Sequence, residues 1–103
     1  MKVILTKVLP ATNTKPTRIA AKAEGVNTLI LPRDDSTANP HLYAAVMLVR
    51  RMGWAPIVLA GGGVGNDEYA FAMLKPAPHL NLAVTESARL GYGSYQILHH
   101  VDA

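Results

Sequence analysis

One stretch of this chain, residues 39–53, carries both the start and the stop signals of a full helix, and it limits what the rest can build. Asn39 is a side-chain cap for the first free N–H groups, and Pro40 fits the first helical position, where no N–H is needed. Leu42, Ala45, Val46 and Val49 then recur at the 3.6-residue period and predict a core-facing stripe. Arg50 and Arg51 fall in the last turn, where a cation beside the negative helix end gains about 0.3–1 kcal/mol. Gly53 supplies the left-handed residue after the helix, and Trp54 sits where a Schellman motif places its hydrophobic contact. Trp54 therefore reads as a core anchor and not as a ligand-stacking residue.

The segments on either side are short, apolar and punctuated by turn residues, so they read as strands. Val3-Ile4-Leu5 is a brief first strand, and residues 18–22 and 28–31 form a hairpin across Glu24-Gly25-Val26-Asn27. Gly and Asn tolerate positive φ in such a turn, and Pro32 closes the second strand. After the helix, residues 56–60 and 69–74 are two further strands, with the run Gly-Gly-Gly-Val-Gly-Asn-Asp at 61–67 expected to be a flexible hairpin loop. Residues 75–79 form a Pro-punctuated linker; residues 85–91 suggest one or two helical turns, and 95–99 an added edge strand. The fold class expected is α+β: a small antiparallel sheet in the order β-β-β-α-β-β, one main helix and an extra C-terminal segment. At 103 residues this is a single domain, 1–103, with 75–103 as a C-terminal extension.

No apolar run approaches the roughly 20 residues of a membrane helix. The N-terminus meets Lys7 after a few apolar residues, unlike a signal peptide, so a cytoplasmic address is expected. The absence of cysteine excludes a disulfide framework, a thiol nucleophile and a cysteine-ligated zinc.

Charge is unevenly placed. Through residue 33 the bases are Lys2, Lys7, Lys15, Arg18, Lys22 and Arg33, against Glu24 alone. Beyond it, Arg50, Arg51, Lys75 and Arg89 face six acids, so the net +3 of the chain resides in its N-terminal third. Residues 6–22 contain no acid and interleave cations with Thr6, Thr12, Asn13, Thr14 and Thr17. Cations set among hydroxyl and amide donors suit an anion, above all a phosphate backbone. Lys7, Asn13, Lys15, Arg18 and Lys22 are accordingly the candidate residues for binding a nucleic acid or an acidic surface of a host protein. In a strand, Arg18 and Lys22 share a face while Ile19 points the other way. With so few aromatic residues, an aromatic base-stacking platform is not indicated, and no helix-turn-helix or RNP-type motif is present.

Several patterns that look chemical lose their meaning in context. A P-loop ends in Gly-Lys-Ser/Thr, whereas Gly65 is followed by Asn66-Asp67-Glu68, which would repel a phosphate. The Leu9-Pro10-Ala11-Thr12-Asn13 string looks like a sortase signal but lies at the wrong end of the chain. His99, His100 and Asp102 are a poor metal set, because neighbours in a strand point to opposite faces. Asp34, Asp35 and Ser36 precede the helix and suit its positive end. No Gly-x-Ser-x-Gly or comparable context surrounds any nucleophile. The expectation is a non-enzymatic protein with no catalytic residues, metal or cofactor.

The strings Leu-Pro-Ala-Thr-Asn-Thr-Lys at 9–15 and Thr-Arg-Ile-x-Ala at 17–21 resemble the opening of a group of small uncharacterised bacterial and phage-encoded proteins. Arg-Met-Gly-Trp at 51–54, Gly-Gly-Gly at 61–63 and Tyr-x-Phe at 69–71 are similar in order and approximate spacing, so the likeness spans residues 6–74. It implies a phage or mobile-element setting and no catalytic residues; residues 75–103 extend beyond it. Either a nucleic-acid binder or an inhibitor acting on a host complex, of the anti-defence type, fits that setting.

Overall fold

A computed structural model describes residues 3–33, 39–76 and 97–102. Six strands, β1 (Val3–Leu9), β2 (Arg18–Ala23), β3 (Leu29–Pro32), β4 (Ile57–Gly65), β5 (Glu68–Leu74) and β6 (Ile97–Val101), and one helix, α1 (Pro40–Met52), form a small α+β fold. The sheet runs β3-β2-β1-β5-β4-β6 and every neighbouring pair is antiparallel. The order along the chain is therefore β-β-β-α-β-β-β, one strand more than the expected β-β-β-α-β-β. The added strand lies two residues later than the expected edge strand, because Val101 pairs with Ile57 and its side chain enters the core at 1% exposure. The linker beyond Pro76, the helical turns expected at 85–91 and the acids at 34–35 lie outside the described residues.

The helix follows its signals. Asn39 accepts a hydrogen bond from the Leu42 N–H at 3.1 Å. At the other end Gly53 takes φ 68°, and its N–H and that of Trp54 donate to the Arg50 and Val49 carbonyls, closing a Schellman turn. Trp54 is half-buried against the core, as an anchor would be. The buried stripe, however, is rotated from the expected one. His41, Ala44, Ala45, Leu48 and Val49 are buried, while Leu42 and Val46 pack only at its margin. The stripe turns toward His41 because that imidazole has polar and aromatic partners on the sheet.

One face of the sheet carries the core. Ile4, Ile19, Ala21, Leu59, Phe71 and Val101 meet the helix residues Ala44, Ala45, Leu48 and Val49 there. Strand β1 is longer than the three apolar residues expected. Its alternation of exposed and buried positions runs through Thr6, which is 1% exposed, and Lys7, which faces away from the helix. A buried threonine keeps the period of two intact once its hydroxyl has a partner.

The glycine run corrects another expectation. It is not a loop: Gly61, Gly62 and Gly63 are paired with Phe71, Ala70 and Tyr69 inside β4, and only Asn66 and Asp67 turn the chain. A Cβ at Gly61 would run into the Ala70 carbonyl oxygen and lie 2.8 Å from the Phe71 Cα. Glycine is needed there for close backbone approach and not for mobility. The register slips between Gly63 and Gly65, so Val64 sits on a β-bulge.

Candidate functional site

Strand register decides where the basic residues go. In the β1–β2 pairing Lys7 stands opposite Ala20, Leu5 opposite Lys22 and Leu9 opposite Arg18. Lys7, Arg18 and Lys22 thus share the face turned away from α1, with Lys7 on the diagonal between the other two. Diagonal neighbours on one face are about 7–8 Å apart and Arg18 and Lys22 about 13 Å apart along their strand, so the three cations form a shallow triangle. Asn13 and Lys15 lie elsewhere, in the exposed 10–17 connection that joins the Leu9 and Arg18 ends of the hairpin. That connection is held by its own hydrogen bonds. Thr12 Oγ1 accepts from the Lys15 N–H at 3.1 Å and the Thr14 N–H at 3.4 Å, and the Thr12 N–H donates to the Lys15 carbonyl at 2.8 Å. The five residues therefore fall into two groups: a triangle on the sheet and a pair on an ordered loop at its end.

Two of the cations differ in how the fold treats them. Lys7 Nζ lies 3.7 Å from a Glu68 carboxylate oxygen, with the two side chains 64% and 44% exposed. A pair so open to water contributes about 0–1 kcal/mol and is readily exchanged for another partner. Arg18 is half-buried, and its Nε is buried with no hydrogen-bond acceptor among the described residues. An N–H left in that state costs about 1–3 kcal/mol.

The same face is also apolar. Val3, Leu5 and Ile30 are 43%, 44% and 48% exposed, and Val64 is 60% exposed on its bulge. Leu5, Lys7, Ala20, Lys22, Val64 and Glu68 border a recess of about 340 Å³.

A second cluster, not foreseen from the sequence, lies on the other face. Thr6 Oγ1 and His41 Nδ1 are hydrogen-bonded at 2.8 Å. The His41 ring stacks on Tyr69 with centroids 4.3 Å apart and planes at 16°, and Tyr69 in turn stacks on Phe71 at 6.0 Å. Burial lowers the His41 pKa from its ordinary value; Arg33 acts in the same direction, and Asp67 partly opposes them. The imidazole is thus neutral at pH 7 and serves as a polar pin between helix and sheet. Its position was legible in principle: 41, 45 and 48 share a helix face, and a stripe extended back one turn includes it. Among the described residues no three His, Asp or Glu side chains converge as a metal ion requires, and no helix is long and apolar enough to cross a membrane.

Compared with known protein families, characterised proteins and solved structures, the chain matches none.

Proposed function

We propose that this protein is a non-enzymatic binding protein whose β1–β2 hairpin contacts the phosphates of a nucleic acid. The observation that carries this reading is that Lys7, Arg18 and Lys22 share one face of the hairpin, with the Arg18 Nε buried and without an acceptor among the described residues. Charge-assisted hydrogen bonds from guanidinium and ammonium groups to phosphate are about twice as strong as neutral ones. Lys15 and Asn13, on the ordered loop beyond Arg18, extend the contact along the backbone of the ligand. The resemblance of residues 6–74 to phage-encoded proteins supplies a mobile-element setting for such a binder.

One observation favours a second reading. Val3, Leu5 and Ile30 are exposed beside the cations, and phosphate contacts alone gain nothing from aliphatic surface. An acidic protein surface with apolar residues of its own would cover both, which is the form an inhibitor of a host complex would take. Recovery from host lysate with and without nuclease separates the readings. Nuclease-sensitive recovery of nucleic acid supports the first; a stoichiometric protein retained after nuclease supports the second. Titration of duplex and single-stranded oligonucleotides against the wild type and the Lys15→Ala/Arg18→Ala double variant at two salt concentrations tests the first alone. It fails if nothing binds at low salt, or if both proteins bind equally.

A further inference from the structure

The bulge in β4 leaves a feature that the fold does not explain. A β-bulge disrupts the ladder and re-aims a side chain. Here the re-aimed residue is Val64, exposed to 60%, and it stands at the margin of the recess beside Lys7 and Lys22. The recess is apolar at Leu5, Ala20 and Val64, cationic at the two lysines, and bears one carboxylate, Glu68. A ligand that fits these walls has a body to lie against aliphatic surface, an anionic group for the lysines and a hydrogen-bond donor for the carboxylate.

We infer that this recess takes a single unstacked base of a single-stranded nucleic acid and favours cytosine over thymine through Glu68. The inference rests on the phosphate-binding reading above and adds the strand type and a base preference to it. Single-stranded bases are splayed out and read on their hydrogen-bonding edges by proteins that bind them, and apolar side chains can hold an extruded base. A carboxylate accepts from the cytosine amino group, whereas thymine presents a carbonyl oxygen at that position and repels it. Charge balances in the exchange. Glu68 gives up Lys7 at 3.7 Å for the amino group, and Lys7 is released to the adjoining phosphate. Tyr69 is the one aromatic residue in its lining, too little for a stacking platform, so one nucleotide is read while its neighbours are held by charge alone.

The test is fluorescence anisotropy of the full chain with oligo-dC, oligo-dT and an abasic oligomer of equal length, at two salt concentrations. The wild type should bind oligo-dC about five-fold more tightly than oligo-dT, the low end of what one well-made base contact confers. Glu68→Gln should bind every oligomer more tightly, because an acid is removed from the face, yet lose the preference for oligo-dC. That opposite movement cannot come from misfolding. Val64→Ser, at an exposed site, should bring oligo-dC toward the abasic oligomer. Equal binding of oligo-dC and oligo-dT with a steep salt dependence overturns the base recess and leaves the phosphate reading standing. A preference that survives in Glu68→Gln also overturns it. If no oligomer binds at low salt, both ideas fall and the acidic-protein reading takes their place.

Discussion

Thr6 of β1 and His41 of α1 are joined at 2.8 Å across the only helix–sheet interface described, and they couple two elements thirty-five positions apart in sequence. Neither residue is apolar, yet both are buried. Each is tolerated in the core because the other satisfies it. Thr6→Val leaves the His41 Nδ1 without its partner and should cost about 1–3 kcal/mol in urea unfolding.

The same pair predicts how stability depends on pH. Burial lowers the His41 pKa in the folded state below its unfolded value of 6.5. The unfolded chain therefore binds more protons than the folded one just below that value, and stability rises with pH there. The His41 contribution should be fully favourable above pH 6.5. It should diminish as pH falls through 6.5 toward the lowered folded value, and stay constant below it. Urea midpoints measured between pH 7.5 and pH 5.5 should decrease for the wild type and change much less for His41→Gln.

Glycine substitutions should rank by backbone geometry rather than by position in the run. At Gly61 a Cβ meets the Ala70 carbonyl and the Phe71 Cα, all main-chain atoms that cannot step aside. Gly61→Ala should cost about 3 kcal/mol or move β4 off β5, the upper range for an overpacked site. At Gly65 the Cβ has only ordinary contact, 3.6 Å from a Glu68 carboxylate oxygen, and Gly65→Ala should be close to neutral. Gly53, with φ 68°, lies between them: alanine there carries the left-handed penalty of about 1–2 kcal/mol. Equal effects at Gly61 and Gly65 in thermal unfolding would contradict the paired strand.

What could be read from the chain beforehand follows from the range of the forces involved. Asn39, Pro40, Gly53 and Trp54 act on backbone within a few residues of themselves, so the helix ends were legible. Gly25, with φ 79°, likewise marks its own hairpin turn. The glycine run reads as a loop in sequence because the reason for it is a strand nine positions away: composition shows freedom, while only the β5 backbone shows the lack of room. His41 does not stand out in sequence for a similar reason, since its partners Thr6 and Tyr69 are distant along the chain. Of the basic residues, Arg18 and Lys22 share a face by strand alternation alone. Lys7 joins them only through the β1–β2 register, and the burial of the Arg18 Nε without a partner among the described residues has no trace in the sequence.

Arg18 gives the sharpest prediction, because its effects on stability and on binding should have opposite signs. In the free protein its buried Nε has no acceptor among the described residues, so Arg18→Met exchanges an unsatisfied donor for apolar volume. Such an exchange is neutral or stabilising, here by about 1 kcal/mol, and urea unfolding reads it directly. The same change removes one phosphate contact. Binding to a single-stranded oligonucleotide through Lys7, Lys15, Arg18 and Lys22 should give a log–log salt slope of about −3, from roughly −0.7 per contact, and Arg18→Met should bring it to about −2. Lys7→Met should reduce the slope by less, since Glu68 already neutralises part of that charge at 3.7 Å. A variant at Arg18 that lost stability while keeping the wild-type slope would assign the guanidinium to the fold and remove it from the binding face.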